Sequence, residues 1–496
     1  MVCAMNIVII GAGVGGLATA NLLARDGHEV VVVEKNNWLG GRAGTRSQDG
    51  FTFDTGPSWY LMPQVFKRYF ELVGIDLKQT LPLTRLSPAY KVFFEHDQPI
   101  TITSDLTRDT KTFETIEPGA GAALERYVER GDEIYRLSID HFLYSNFLKL
   151  SDVINSHTLR HGARMAQLAL QSLHTYVSSY VHDRRLQQIL EYPMVFLGTS
   201  PFEAPAIYSL MSALDFREGV YYPRGGMYSI IELLVSTGEN LGVTYRTGDE
   251  VTRIIAYGGH AKAIQLASGE TINADVVISN ADLHFTETQL LKREDQSYPA
   301  RYWRKKEAGP SALLLYIGIK GKLPQLVHHN LLFVDAWQEN FAAIYGTKQP
   351  PTSASIYIGK TSATDTSVAP DGHENIFVLV PLPAGSAITD DDIPELTTRY
   401  LAQIKAMTGV DLSEHVITRA QFTPDDFYKT YNAWQSSMLG QSHRLTQSAF
   451  FRTKNKSRQL SNLYYVGANT VPGIGLPMCL ISAELVTERI RQEHAS

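Results

Sequence analysis

The chain has 496 residues, a formal net charge of -6 and a pI of about 6.2. Its 44% hydrophobic content allows a large core, and its length suggests two or three domains. The acidic balance excludes the basic footprint of a nucleic-acid binder. The two cysteines, Cys3 and Cys479, exclude a disulfide framework or a cysteine-ligated metal and point to a reducing compartment.

The N-terminus is apolar but has no basic region, so no secretory signal is expected. Residues 6–10 (NIVII) read as a strand. It runs into Gly11, Gly13, Gly15 and Gly16, with a GxGxxG spacing over Gly11, Gly13 and Gly16. An apolar-faced helix follows, and Gly27 ends it before a second buried strand, EVVVVE. Glycines in this arrangement permit the tight turn, close approach to a pyrophosphate, and close helix–strand packing. The helix N-terminus offers free N–H groups to the phosphates. Glu34, followed by Lys35, ends the second strand; a carboxylate there suits a ribose diol. Gly40, Gly41 and Arg42 follow, bringing a second close-approach backbone and a planar cation toward the same phosphates. GFTFDTGP then makes a short strand and a turn through Asp54, Gly56 and Pro57.

Residues 81–214 read as mainly helical and aromatic. Residues 195–214, the richest apolar stretch, carry Glu203 and two prolines, so no spanning helix is expected. An α/β pattern resumes at residues 215–305, with strands at 243–246, from Val251, and at ADVVISNAD. Residues 306–454 read as a second sheet with helices. Within it, Asp425 and Asp426 read as a helix cap or, alternatively, as carboxylates that could stabilise a cation or take a proton, and His328–His329 as a surface pair. Arg224 reads either as a ligand contact or as a structural ion pair. At the C-terminal end, LYYVGANTVPGIGLP gives a strand over 463–466, a glycine turn from Gly467, and a helix with Pro477 at its first position. The backbone of Met478, then of Leu476, would supply the free N–H groups of that helix end.

GxGxxG, Glu34 and the GGR segment resemble the two-dinucleotide-binding-domain flavoproteins, which include amine oxidases and carotenoid desaturases. LYYVGANTVPGIGLP, FTFDTGP, YPRGGM, TSVAPDGHENIFVLVPLP, FTPDDF and LTQSAFFRTKN together resemble the bacterial phytoene desaturase family. The departures are Asn469 for glycine or serine, Thr453 for a proline, and AWQSSMLG for a glycine-rich segment. The last two bear on the substrate rather than on the cofactor.

The resemblance implies an α/β fold with α+β insertions. A discontinuous Rossmann-like FAD-binding domain would take residues 1–80, 215–305 and 455–496. A helical, membrane-associating region would take 81–214, and a substrate-binding sheet-plus-helix domain 306–454. FAD would be bound by Gly11, Gly13, Gly15, Gly16, Glu34, Lys35, Gly41, Arg42, Gly56, Pro57, Val251, Gly467, Leu476 and Met478. Arg42 would meet the pyrophosphate, Val251 the adenine, and Leu476 and Met478 the pyrimidine edge of the flavin ring. The substrate would be a lipid-soluble linear carotene such as phytoene or diapophytoene, reached from the cytoplasmic face of a membrane by peripheral contact. An apolar patch or amphipathic helix within residues 142–214 would make that contact. Oxygen or a quinone would be the electron acceptor. Hydride transfer to flavin followed by proton loss requires no tuned base, and the sequence singles out no catalytic residue and no metal ligands. A flavin amine oxidase and a non-catalytic prenyl-escort protein are the alternatives; an intact dinucleotide site argues against the second.

Overall fold

The computed structural model describes residues 4–146 and 167–494. Five parallel strands form the first sheet, in the order Leu463–Tyr465, Val276–Ser279, Asn6–Ile10, Glu29–Glu34 and Thr244–Thr247. In register, Ile9 pairs with Val32 on one side and Ile278 on the other, and Ile278 pairs with Tyr464. These strands are short valine- and isoleucine-rich runs because the central part of the sheet is buried on both faces. One face carries the helix Val14–Arg25 and the terminal helix Leu476–Glu493, which share a core through Leu17, Leu480, Val486 and Ile490. Arg491 forks onto Asp26 at 2.7 and 2.9 Å and fastens the two helix ends. A meander of Val251–Tyr257, His260–Leu266 and Thr271–Asn273 covers the other face.

The second sheet has seven strands, in the order Val416–Phe422, Ser311–Lys320, His373–Leu382, Ile356–Gly359, His329–Phe333, Tyr90–Phe94 and Ile100–Ile102. The helix Ile393–Thr408 packs on one face through Ile393, Leu396, Tyr400 and Ile404. Phe51 and Phe53, from the hairpin Thr45–Gln48/Phe51–Asp54, meet the other face beside Leu314, Tyr316 and Phe377.

Two features differ from the sequence expectation. The stretch read as helical from residue 81 begins with strands Leu83–Arg85, Tyr90–Phe94 and Ile100–Ile102. Tyr90–Phe94 pairs parallel to His329–Phe333, so a partner more than two hundred residues away decides its conformation. The helical reading also breaks into short helices after residue 171. Ser172 caps Leu173–Val177 by accepting the Thr175 N–H, and Asp183 caps Arg184–Glu191 by accepting the Arg185 N–H. Residues 147–166, part of the expected membrane-facing stretch, lie outside the described residues. No described helix is long and apolar enough to cross a membrane.

Candidate active site

A cavity of about 1060 Å³ runs from the glycine loop into the space beside the second sheet. That slightly exceeds the roughly 300–1,000 Å³ of a usual single-ligand pocket. Every residue expected to contact the cofactor lines it except Gly16 and Gly467. Those two act in packing. A Cβ at Gly16 would fall 2.3 Å from the Gly11 carbonyl oxygen, so only glycine lets the helix lie against the strand end. A Cβ at Gly467 would fall 2.6 Å from Asn280 Oδ1.

The glycine loop is held from three sides. The Gly11 N–H donates to the Val33 carbonyl at 2.8 Å, and Gly40 donates to Ala12 at 2.8 Å. Glu34 closes the third side. Its Oε2 accepts the Ala12 N–H at 2.9 Å, and its Oε1 accepts from Asn36 N–H and Nδ2. A carboxylate has about four lone-pair sites, so three bonds leave one for a ribose hydroxyl. Lys35 lines the cavity while its ammonium reaches the Lys429 carbonyl at 2.8 Å and Asn432 Oδ1 at 3.3 Å. Gly13 is the cap residue of Val14–Arg25, whose first turn has no side-chain cap and no acidic residue. Its N–H groups are therefore left for an anion.

Arg42 supports the same reading. Gly41 has φ +57 and brings this segment against Gly13, where an added Cβ would lie 3.2 Å from the Gly13 Cα. The guanidinium lies 5.4 Å from the centre of the Tyr431 ring, and one terminal nitrogen donates to the Ser437 carbonyl at 3.3 Å. Its Nε is buried and meets no acceptor among the described residues. An orphaned buried cation donor beside a glycine cradle fits a phosphate-bearing ligand.

Asp54 turns away from the cavity. Its carboxylate accepts the N–H groups of Met227 and Tyr228 at 3.0 and 3.2 Å, at the start of the helix Tyr228–Asn240. Burial pushes its pKa up to about 6, against the pull of those two bonds. Thr55, Gly56 and Pro57 remain on the cavity wall.

At the far end of the chain, the terminal helix begins at Leu476, so Pro477 is its second residue, not its first. Leu476, Pro477 and Met478 line the cavity. Cys479 already donates to the Gly475 carbonyl at 2.9 Å. The N–H groups of Leu476 and Met478 meet no acceptor among the described residues. The preceding turn is pinned from behind. Asn469 Oδ1 accepts the Gln441 N–H, and its Nδ2 donates to Asp282. His443 Nε2 accepts the Ile474 N–H at 3.2 Å, which leaves its Nδ1–H to donate to Tyr208 at 3.0 Å. Burial holds the His443 pKa well down, so the ring is neutral.

The rest of the wall is apolar and aromatic, with Trp59, Phe196, Leu314, Phe333, Trp337 and Leu379 among its members. The charged side chains on the wall are Glu34, Lys35, Arg42, Arg46, Asp249, Glu250 and Asp282. The cavity reaches the surface at Leu445, Phe450 and Phe451, the last 61% exposed.

The remaining candidates resolve as structural parts. His328 and His329 are buried, contrary to a surface pair, because their strand lies inside a sheet covered on both faces. His329 stacks on Trp59 at 4.3 Å and shares a hydrogen bond with the Tyr357 hydroxyl at 2.8 Å. Burial drives its pKa well down. Asp426 completes a capping box with Thr423, and Asp425 pairs with Lys429 at 2.5 Å. Arg224 is exposed and off the cavity wall. Burial pushes the Cys479 thiol up to about 12, so it is no thiolate nucleophile. Among the described residues no cluster could hold a metal ion.

Three residues escaped sequence reasoning. Asn280 stands where the glycine loop meets the last turn: a Cβ at Gly13 or Gly15 would lie 2.7 Å from its amide group. Its one sequence signal was its place at the end of a buried strand. Trp59 and His443 gave no signal, since only tertiary packing brings them to the wall.

The model of the family described as "Flavin containing amine oxidoreductase" matches residues 14–491. The carotenoid 3,4-desaturase of Haloarcula japonica is 39% identical over 490 residues, 99% of each chain. The zeta-carotene-forming phytoene desaturase of Myxococcus xanthus is 36% identical over 489 residues, 98% of this chain and 93% of that one. The crystal structure of an oxidoreductase from Methanosarcina mazei superposes with a TM-score of 0.63 at 19% identity, covering 98% of this chain and all of that one, and so shares its fold. With a charged, glycine-lined end to its cavity and an apolar, aromatic wall beyond it, the chain belongs to the flavin-containing amine oxidoreductases, as an FAD-dependent oxidoreductase of the carotenoid desaturase family.

Proposed function

We propose that this chain desaturates linear carotenoids such as phytoene or diapophytoene, passing a hydride from the hydrocarbon to FAD. The observation that carries the reading is the division of one cavity into a charged, glycine-lined end and an apolar, aromatic end. Bound FAD supplies a two-electron hydride acceptor, which no side chain here can replace. The chain supplies position and dryness. Gly11, Gly13 and Gly15 would receive the pyrophosphate with Arg42 and Gly41, Gly16 packs the helix beneath that loop, and Glu34 would take a ribose hydroxyl, with Lys35 beside it. Val251 would border the adenine. Gly56, Pro57, Leu476 and Met478 would hold the ring, and Gly467 keeps the last turn close to the glycine loop.

Hydride loss leaves an allylic cation spread over the polyene. The neighbouring carbon then gives up a proton, and the C–H electron pair becomes the new double bond. Such a cation is acidic enough to need only a weak base. The wall is built accordingly: His443 is neutral, and burial keeps Tyr192 and Tyr357 protonated. An amine substrate would require a cage for a cation. Among the described residues, the apolar end of the cavity has no acidic side chain.

The substrate dissolves only in lipid, so the chain must meet a membrane from the cytoplasmic side. Phe450, Phe451 and Leu445 are exposed where the cavity opens, and Leu170, at 81% exposure, follows the lining residue Ala169. Apolar groups at a cavity opening suit peripheral contact with one leaflet. Residues 1–80, 215–305 and 455–496 then form the FAD-binding body. Residues 81–214 would supply part of the membrane-facing surface and, through Tyr90–Phe94 and Ile100–Ile102, two strands of the substrate sheet, whose other strands lie in residues 306–454 together with Leu445, Phe450 and Phe451.

Co-expression with a phytoene synthase and, separately, with a diapophytoene synthase tests the reading. The expected result is a coloured polyene lighter by two hydrogens per step. An unchanged substrate mass with both synthases overturns it.

A further inference from the structure

Arg452 is buried behind the turn that closes the cavity. Its guanidinium meets only carbonyl oxygens. Nε donates to Thr470 at 3.1 Å, Nη1 to Gln447 at 3.4 Å, and Nη2 to Gln441 at 3.3 Å and Ala468 at 2.6 Å. No carboxylate pairs with it among the described residues. The groups around it are neutral or cationic: the Tyr208 and Tyr302 phenols, the Cys479 thiol, neutral His443, and Lys306. A buried guanidinium without a counter-ion is costly, and a neutral amide could bridge carbonyls more cheaply. The charge itself therefore calls for a use.

The turn shows what that use is. Arg452 holds the carbonyls of Ala468 and Thr470, and the Thr453 hydroxyl holds that of Asn469 between them. In a planar trans peptide the N–H points opposite to the C=O. Drawing carbonyls backward therefore turns the opposite, positive ends of the peptide dipoles away from Arg452. The N–H groups of Asn469 and Val471 meet no acceptor among the described residues. Ala468, Asn469 and Thr470 line the cavity. A buried cation and its aligned peptides thus lie directly behind this wall.

We propose that Arg452 is a positioning residue for the redox balance of the site: its uncompensated charge, held behind the 467–475 turn, favours the reduced, negatively charged state of the cofactor. The proposal rests on the reading that FAD occupies the cavity. It explains why charge rather than a neutral amide sits in a carbonyl cage. In a dry interior a fixed charge acts over a longer range than at a wet surface.

The test is the flavin reduction potential of purified holoenzyme, measured by anaerobic dye-equilibrated titration in three variants. Arg452→Gln removes the charge but keeps an amide donor. Arg452→Lys keeps the charge. Gln441→Glu leaves Arg452 in place and puts a carboxylate on the residue whose backbone carbonyl it holds, using a buried side chain whose Nε2 has no partner among the described residues. Arg452→Gln is expected to lower the two-electron reduction equilibrium constant at least tenfold, about 30 mV. Gln441→Glu should lower it in the same direction, and Arg452→Lys should retain most of it. If Arg452→Gln does not fold, Gln441→Glu alone carries the test. A wild-type potential in the variants that bind FAD overturns the proposal and leaves Arg452 a structural brace. A wild-type protein that takes up no FAD overturns the cofactor reading instead, so the two failures are distinguishable.

Discussion

Gly13 provides a direct measure of why the nucleotide cradle is made of glycine. Its φ of -72° and ψ of 172° are open to any residue, so Gly13→Ala meets no backbone strain. The obstacle is steric. The new Cβ would sit 2.7 Å from Asn280 Nδ2 and 3.8 Å from its Cγ, with no other contact within 4 Å. Asn280 cannot swing away freely, because that nitrogen donates to the Gly11 carbonyl at 3.3 Å and the rest of the amide abuts Gly15 and Gly467. Overpacking of this kind costs about 1–3 kcal/mol. Asn280→Ala should relieve most of it, giving a coupling of about 0.5–3 kcal/mol between the two sites. FAD affinity should behave differently. The added methyl also blocks the close approach of a pyrophosphate, and removing Asn280 does nothing for that. The assay is therefore paired: thermal unfolding of the apoprotein, and FAD affinity by flavin fluorescence quenching. The double variant should recover the unfolding midpoint of Asn280→Ala alone but not its FAD affinity. If affinity also recovers, the glycine serves only to clear Asn280, and the close-approach argument for this position is wrong.

Met478→Pro should remove an N–H that has no acceptor among the described residues, lowering the flavin reduction equilibrium by about tenfold or more, the worth of a hydrogen bond to a charged group at roughly 1.5–3 kcal/mol. Met478→Leu should leave the potential unchanged, and a proline variant with FAD bound at the normal potential would reduce the tail to a structural cap. Phe450→Asp with Phe451→Asp should abolish flotation with carotene-loaded liposomes while leaving bound FAD intact; flotation equal to wild type would remove this loop from the membrane contact. Asp54 gives a pH signature of known sign. Its pKa is raised in the folded protein, so the native state binds more protons than the unfolded chain between about 3.8 and 6, and its contribution to stability falls as pH rises through that window. On the order of 3 kcal/mol separates the two limits, so apoprotein unfolding should show wild type losing stability relative to Asp54→Asn from about pH 4 to 6 and no further change above it; a flat difference refutes the assignment.

The strand–glycine loop–helix unit was readable because its rules are local. The strand, GxGxxG, Glu34 and Gly40–Arg42 lie within forty residues, although the side chain that crowds Gly13 and Gly15, Asn280, comes from far along the chain. The second sheet was readable where its strands are long and apolar, as in Ser311–Lys320 and His373–Leu382. Tyr90–Phe94 was hidden, since its partner is His329–Phe333 and only that pairing outweighs the surrounding helical pattern. The same pairing explains the misread histidines. Polar residues in a strand read as exposed until sheet neighbours and a stacked Trp59 bury them. Arg452 was invisible as a buried charge because its cage consists of backbone carbonyls, which leave no trace in side-chain identity.

The glycine turn near the C-terminus gains its meaning from the strand order. Val276–Ser279 lies between the first strand of the chain and the last, and Asn280 follows it immediately. That residue touches both glycine turns: its Nδ2 donates to the Gly11 carbonyl, and its Oδ1 limits the space at Gly467. The gap between the two turns is thus set by one side chain at the end of the shared neighbouring strand. A Cβ at Gly15 would meet the Gly467 Cα at 3.0 Å, so the turns are already near contact. Segments more than four hundred residues apart therefore act as two edges of one cradle. For the proposed cofactor, the turn with the free N–H groups would need a fixed distance from the glycine loop. The buried pairing of strands at the centre of a parallel sheet supplies that distance more rigidly than a loop could. For that reason the tail is knit into the core, with Gly467 N–H on Ser482 and Arg491 on Asp26.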